Sequence, residues 1–587
     1  SSDLAEKDPA GWRNTTLEER HRIMFEAANR LGDMRGDLIG SMCAVTGKTV
    51  VEGDVEVSEG IDYARFYTTT MKKFAALHDV DITSKGTILV ISPWNFPCAI
   101  PIGGIVAGLA GGNTVILKPA TVAAPVAWLF AKAFWDAGVP KEALQVIITD
   151  REALKELTTA SAIKHIILTG GTDTAQSIAR TNPSTPLSAE TGGKNAIILT
   201  ASGDRDHAIM NIVASAFGNA GQKCSACSLL LVERSVYEDK NFQDKLKDAA
   251  TSMKVGSVWE AGNVVGPMIT NRNDKLLQAL TLEPGESWLV PPKFIDEKQY
   301  ILAPTVKWGV KPGSYSFRTE LFGPMLSVAC IDNLQQGIEL VNSLDYGLTS
   351  GLQSLDENEQ KLWKNSILAG NLYINRGITG AIVNRQPFGG MKLSAFGGGV
   401  KAGGPNYCAC LVKITDKPES NTDYKQSYPH VYEEEFAHAR DINKLYGEQN
   451  AFRYLPLKNM VLRLFPGDSN EEAEMIALAA KLCHTPLTIS FAPNDDRTTA
   501  LSSTGCTLKK ETFDEFLKTM RTYERIRTCG ADIPMEMYEE AARRNKYIAT
   551  AKPVKNGRVE LIHYIKEQSI SFEYHRYGSI LDVPPVE

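Results

Sequence analysis

Several features are scarce or missing in this 587-residue chain, and each absence removes a class of protein. No basic tract is dense enough to override a formal net charge of −6 and a pI near 6, so nucleic acid is not an expected partner. The most apolar run, residues 97–112, is too short and too rich in glycine to span a bilayer; it reads as a core helix packed against a sheet, and no membrane partner is expected. The opening Ser1-Ser2-Asp3-Leu4-Ala5-Glu6-Lys7 has neither a basic nor an apolar signal region, so no secretory signal is read there. Ten cysteines are scattered through the chain rather than clustered as in a disulfide framework, which favours a reducing, cytoplasmic setting. Cys224 and Cys227 form a C-x-x-C pair, but there is no second pair and no histidine close by, so no metal is expected. Gly47-Lys48-Thr49 lacks the glycine that a P-loop needs five residues earlier, where Met42 stands.

What remains is an alternation of strands and helices long enough for three or four domain-sized units. An amphipathic helix is expected over residues 19–39, with Ile23, Ala27, Leu31 and Leu38 on one face, and a second over 54–71. Short apolar strands at 87–91, 114–118, 145–148 and 165–168 alternate with helices, as in a parallel, doubly wound sheet. A second α/β block runs from the strand 196–199 and the helix 206–219 to a glycine-rich stretch ending near Gly404-Pro405. Residues 416–438 are polar and read as a linker or extended arm. The alternation then restarts with strands at 461–465, 486–491 and 547–550. Helices are expected at 471–482, 512–519, 535–544 and 560–567.

Three turns carry side chains suited to one chemistry. Cys224 lies in Gly221-Gln222-Lys223-Cys224-Ser225-Ala226, Glu190 opens Glu190-Thr191-Gly192-Gly193-Lys194-Asn195, and Asn95 sits inside Pro93-Trp94-Asn95-Phe96-Pro97. Each has a bland alternative: a core cysteine, a solvated surface acid, an ordinary turn residue. Together they supply a thiolate that attacks a carbonyl, a carboxylate that activates water, and an amide that joins the Cys224 N–H around an oxyanion. Lys223 beside the thiol is expected to favour the thiolate.

In this order and spacing the trio resembles the aldehyde dehydrogenase superfamily. The resemblance implies an NAD(P)-binding Rossmann-like domain over residues 1–193 with an apparently truncated N-terminus, and an α/β catalytic domain over 194–404. Apart from what the resemblance implies, residues 405–445 read as a linker or oligomerisation arm, and 446–587 as a smaller Rossmann-like C-terminal domain expected to be inactive, since the Cys, Glu and Asn constellation does not recur there. The resemblance places Ser92 and Trp94 in the coenzyme site, Lys118 on the adenosine ribose, and Gly170 and Gly171 in the phosphate turn of Thr169-Gly170-Gly171-Thr172. Glu320 would hold the nicotinamide ribose, with Phe322 packed behind. The family often has Glu where this chain has Thr121 and Ser where it has Gly171. Since Thr121 cannot repel a 2′-phosphate, NAD is expected with NADP possible.

Residues 379–390 and the surroundings of Cys224 resemble the branch that oxidises L-glutamate γ-semialdehyde, the open form of Δ1-pyrroline-5-carboxylate. That resemblance implies that Ser225, Gly380 and Ala381 bind the α-carboxylate, that Phe96 and Phe388 sandwich the methylenes, and that Glu59 meets the α-ammonium; Lys223 is placed in the same pocket. Glu567-Gln568-Ser569-Ile570-Ser571 and Tyr574-His575-Arg576-Tyr577-Gly578 resemble the end of the bifunctional proline utilisation A proteins. The proline dehydrogenase barrel of those proteins is absent here, so that domain is a possible partner in cis or in trans. A homo-oligomer is expected. Two other readings stand beside this one: a dehydrogenase of another carboxylated semialdehyde, and a non-catalytic scaffold on a relic fold.

Overall fold

The computed structural model describes residues 1–270, 273–298, 300–530, 532–580 and 586. Its first layer forms around the strand Thr87–Ile91, every residue of which is buried. Parallel neighbours on its two sides are Thr114–Lys118 and Ile163–Thr169, followed outward by Leu144–Val146 and Leu187–Glu190. The antiparallel pair Ala395–Phe396 closes the edge beyond Leu187–Glu190. The chain steps outward from Thr87–Ile91 to Leu144–Val146 and then returns on the opposite side. A topological switch point therefore lies between Thr87–Ile91 and Ile163–Thr169, and ligand crevices open there, beyond the carboxyl ends of the strands. The registers Ile91↔Lys118, Ile91↔Leu168 and Thr169↔Glu190 place Ser92, Lys118, Gly170 and Glu190 along that one edge.

The apolar run forms the helix Ala99–Ala110, almost wholly buried on this sheet. Its glycines set the packing distance. A Cβ at Gly104 would lie 2.9 Å from Val90 Cγ1, and one at Gly108 2.8 Å from Val115 Cγ2. No helix among the described residues is long and apolar enough to cross a membrane.

A nine-stranded sheet carries the second layer, with Asn195–Leu199, Cys227–Glu233 and Thr349–Gln353 at its centre. Two of its strands come from the far end of the chain. Ile565–Glu573 pairs parallel with Asn371–Ile374 and antiparallel with Glu448–Pro456. The helix expected over 560–567 is therefore corrected: only Gly557–Glu560 and a short 3-10 turn, Leu561–Tyr564, are helical before the strand begins. Between these two strands the chain builds a separate parallel sheet of five, in the order Thr507–Lys510, Leu487–Phe491, Met460–Arg463, Arg525–Arg527, Tyr547–Ala549.

Two further expectations change. Residues 19–39 are split between the helices Leu17–Asp33 and Arg35–Thr46, broken at Met34, whose backbone (φ −89°, ψ 9°) leaves the helical range. The polar segment 416–438 is not extended throughout. It contains the helix Tyr424–Val431 and a π-helical turn, Tyr432–Phe436, because Tyr424, Tyr428 and Phe436 are buried against the C-terminal unit.

Candidate active site

Cys224 is delivered by a strained turn. The helix Arg205–Phe217 ends just before Asn219, Ala220 and Gly221, which all have left-handed backbone (φ 52°, 52° and 69°). Ala220 in that region costs energy that the surroundings must offset. Gln222 does so: its Nε2 donates to the Asn219 carbonyl at 3.2 Å and its Oε1 accepts from Ile269 N–H at 2.8 Å. At Gly221 any side chain would strike the carbonyl of Gly323. Asn195, from the turn that follows Glu190, donates through Nδ2 to the carbonyls of Cys224 (2.6 Å) and Ala226 (3.1 Å), and its Oδ1 accepts from Thr349 N–H at 3.0 Å. Gly193 packs flush on the same loop, since a Cβ there would lie 2.8 Å from the Cys224 carbonyl.

The thiol stands in an acidic pocket. Burial pushes Cys224 up to about 12, Glu320 and Glu190 add to the rise, and the N–H groups of Ser225 and Cys224 oppose it. The expected help from Lys223 is corrected here: Lys223 Nζ forms an ion pair with Glu52 Oε1 at 2.8 Å, so its charge is answered by the first turn of the helix Val50–Ala75. Asn95 is buried, and its Nδ2 donates to the Gln222 carbonyl at 2.9 Å, two residues before the thiol. The amide is thus tethered to the nucleophile's own loop.

Glu190 ends its strand facing the glycine-rich segment. Its Oε2 accepts from Gly390 N–H at 3.2 Å. Burial raises its pKa, while Lys401 and the Gly390 N–H pull it down. Lys401 is 2% exposed; it donates to Asn371 Oδ1 at 2.8 Å and to the Gly389 carbonyl. Its own pKa is lowered by burial and supported by Glu190 and Glu567.

The coenzyme expectations fall along the sheet edge described above. Ser92 is buried, and its hydroxyl has no hydrogen-bond partner among the described residues. Lys118 is partly buried, and desolvation alone lowers its pKa. An orphaned hydroxyl and an unanswered cation at a switch point fit a dinucleotide, whose ribose hydroxyls and phosphates would satisfy both. Gly170 N–H is bonded to the Glu190 carbonyl at 3.1 Å. Gly171 precedes the helix Thr172–Thr181, and both it and Thr121 are exposed. Glu320 Oε1 accepts from Gly193 N–H at 2.8 Å, and burial raises its pKa to about 7. Any side chain at Gly192 would strike the Glu320 carboxylate. Phe322 is left-handed (φ 51°) and meets Trp94 edge to face, ring centroids 5.8 Å apart. Asn273 Nδ2 holds the carbonyls of Leu321 (2.8 Å) and Phe322 (3.3 Å).

The expected substrate residues come from separate parts of the chain. Ser225 is buried beside the thiol, and its carbonyl accepts from Thr349 Oγ1 at 3.4 Å. The Gly380 carbonyl accepts from Tyr373 OH, a ring close enough to Cys224 to feel its charge; Ala381 follows it, half-buried. Phe96 lies under Lys48, whose Nζ is 3.8 Å from the ring centre. Phe388 is fixed by two backbone bonds to Ala402, at 2.8 and 2.9 Å. Burial raises Glu59 to about 8, with Glu56 adding and Lys48 opposing. Lys48, the residue of the rejected P-loop, is fully buried against Glu56, whose other oxygen accepts from the N–H groups of Cys98 and Ala99 (2.7 and 3.1 Å) at the start of the helix Ala99–Ala110. Sequence reasoning missed Asn195, Gln222, Asn273, Asn371, Lys401 and Glu567. Asn195, Gln222 and Glu567 stood inside motifs already singled out, and Lys401 inside the glycine-rich run; Asn273 and Asn371 offered no local signal.

With the geometry in place, known proteins give the comparison. A model described as "Aldehyde dehydrogenase family" matches residues 2–415. The chain is 33% identical over 419 residues to a 1-pyrroline-5-carboxylate dehydrogenase of Geobacillus sp. (strain WCH70), covering 68% of this chain and 80% of that protein. Among solved structures, proline utilization A (PutA) from Corynebacterium freiburgense superposes with a TM-score of 0.87 at 36% identity, covering 99% of this chain. The chain spans 60% of the length of that protein. A 1-pyrroline-5-carboxylate dehydrogenase from Thermus, solved with bound NAD, gives 0.66 at 31% identity, covering 70% of this chain and 84% of that one. The thiol, carboxylate and amide described above therefore sit on a known scaffold, and the chain belongs to the aldehyde dehydrogenase family.

Proposed function

We propose that this chain oxidises L-glutamate γ-semialdehyde to L-glutamate with NAD. The observation that carries the reading is the tethering of Asn95, Glu190 and Cys224 around one turn: Asn95 bonds the loop of the thiol, and Asn195, five residues beyond Glu190, bonds the thiol's own carbonyl. The Cys224 sulfur attacks the aldehyde carbon, and a thiohemiacetal forms. Asn95 Nδ2 and the Cys224 N–H stabilise the oxyanion. The thiohemiacetal carbon then gives up its hydride, for which NAD, when bound, would be the acceptor, and a thioester to Cys224 remains. The residues for NAD are Ser92, Trp94, Lys118, Thr121, Gly170, Gly171, Glu320 and Phe322. Glu190 then takes a proton from water as that water attacks the thioester, and glutamate leaves with the thiol restored.

The substrate is a zwitterion of fixed length. Ser225 with the backbone of Gly380 and Ala381 would hold its carboxylate, Phe96 and Phe388 its methylenes, and Glu59 its ammonium. Support for this branch comes from relatives named 1-pyrroline-5-carboxylate dehydrogenase, which this chain matches over four-fifths of their length. NADH formation from a panel of semialdehydes tests it. Glutamate semialdehyde should be preferred over succinate and aminoadipate semialdehydes; equal use of all three overturns the narrow assignment. We further propose the four-part division at residues 193, 404 and 445, a homo-oligomeric state, a cytoplasmic site of action, and a proline dehydrogenase, in cis or in trans, as the source of substrate. The scaffold reading requires that NAD not bind, which a coenzyme titration decides.

A further inference from the structure

Behind Glu190 lies a buried cation to which the reaction above gives no role. We infer that Lys401 is a positioning residue for Glu190, aiming its carboxylate through Gly389 and Gly390 and supplying a charge that favours its anion, with Glu567 of the C-terminal strand as its brace. The inference rests on the reading of Glu190 as the base that activates water.

The geometry has three links. Gly389 is sandwiched between the two groups: a Cβ there would lie 3.0 Å from Glu190 Oε1 and 3.3 Å from Lys401 Cγ. The Lys401 ammonium donates to the Gly389 carbonyl and to Asn371 Oδ1, and the same Asn371 oxygen accepts from Gly389 N–H at 3.2 Å. Lysine and asparagine thus clamp both sides of Gly389, and the next N–H, that of Gly390, points at Glu190 Oε2. The third link fixes the lysine: its own N–H donates to Glu567 Oε2 at 2.6 Å, and Asn406 Nδ2 donates to Glu567 Oε1 at 2.7 Å. Glu567 is 3% exposed and belongs to the strand Ile565–Glu573, reached only after the separate five-stranded unit. A buried lysine whose ammonium found no anion would cost far more than it returns. Here the charges of two carboxylates, Glu190 and Glu567, reach the ammonium, and the first of them is the base.

The charged and titratable groups around Glu190 leave Lys401 as its counter-ion. Cys224, Tyr63 and Tyr407 face it as neutral or potentially anionic groups; Glu320 faces the thiol, and Glu59 lies beyond Tyr63. Removing the cation must therefore raise the pKa of Glu190. Deacylation needs the anion, so its acidic limb must move to higher pH.

The test is Lys401→Met in the full chain, with coenzyme affinity and thermal unfolding as folding controls. The expected result is a retained burst of NADH, a steady state slowed at least about tenfold near neutrality, and an acidic limb moved up by about one pH unit, with part of the rate recovered at high pH. Lys401→Arg, which keeps the charge, should keep the limb near its wild-type position. Wild-type position and rate in Lys401→Met would overturn the inference, as would a loss that is equal at every pH. Glu190→Gln separates this from the parent reading. If it deacylates normally, the base assignment fails; if it does not deacylate and Lys401→Met behaves as wild type, only the role of Lys401 fails. Should Lys401→Met not fold, the infrared difference between wild type and Glu190→Gln decides. The Glu190 carboxylate band should titrate in two steps, because its proton affinity depends on the charge of Lys401; a single step overturns the inference.

Discussion

Asn195 Nδ2 lies 2.6 Å from the carbonyl oxygen of Cys224, so the turn that begins at the base also grips the peptide of the nucleophile. Its Oδ1 is held by Thr349 N–H, which fixes the amide orientation. Base and thiol are thereby kept in one frame, and a shift of either is felt by the other. Asn195→Ala should leave two buried carbonyls without a donor, at about 1–3 kcal/mol each. The expected outcome is a lower thermal transition, a burst slowed by about one to two orders of magnitude, and coenzyme affinity nearly unchanged. An unaltered burst rate in rapid-mix absorbance would show that the loop holds its shape without this amide.

The pocket chemistry makes a second prediction, on the free enzyme. A thiol pushed up to about 12 is almost entirely protonated at neutral pH. The sign is set by burial and by the carboxylates of Glu320 and Glu190: each disfavours the thiolate, so neutralising one lowers the thiol pKa and enriches the reactive form. Alkylation of Cys224 by iodoacetamide should therefore be slow at pH 7 and rise about tenfold per pH unit through pH 9. Glu320→Gln should accelerate it at fixed pH. A plateau near pH 8 in the wild type, followed by peptide mass spectrometry at Cys224, would mean that another cation reaches the sulfur.

These relationships also mark how far the sequence could be read. The strands 87–91 and 114–118 are short apolar runs that begin just after a glycine and stop just before a proline, and both stand where the pattern puts them. The strand Ile565–Glu573 defeated periodicity because polar residues occupy buried positions along it. Gln568, Ser569 and Ser571 are buried yet satisfied by Ala369, Pro387 and Asn450, partners far away in the chain. The segment 416–438 misled for the opposite reason: three aromatic residues carry its burial, amid charges that dominate its composition. In the site, motifs located the groups that react. They could not locate Glu52 answering Lys223, or Glu567 bracing Lys401, since those pairs are made by folding alone.

Coenzyme choice depends on an exposed neutral residue. Thr121 follows the strand that ends at Lys118 and stands open to solvent, so nothing there repels a 2′-phosphate. NAD should be used, with NADP accepted less well. Thr121→Glu would add a charge at this edge and should raise the ratio of NAD to NADP kcat/KM by about tenfold or more, since about 1.4 kcal/mol of repulsion suffices. An unchanged ratio would place the ribose of the coenzyme elsewhere.

The narrowest prediction concerns the carboxylate of the substrate. Ser225 is buried directly after the nucleophile, while Gly380 is held by Tyr373, whose ring senses the same thiol. If these groups receive an α-carboxylate, the Ser225 hydroxyl contributes one hydrogen bond to a charged group, about 1.5–3 kcal/mol. Ser225→Ala should then raise KM for glutamate semialdehyde by about one to two orders of magnitude. Butanal has no carboxylate to lose, so its kcat/KM should hardly change. The contrast between the two substrates carries the conclusion, because a variant that merely disturbed Cys224 would slow both alike. Equal losses on both aldehydes would assign Ser225 to the support of the thiol and return the substrate to the level of the family.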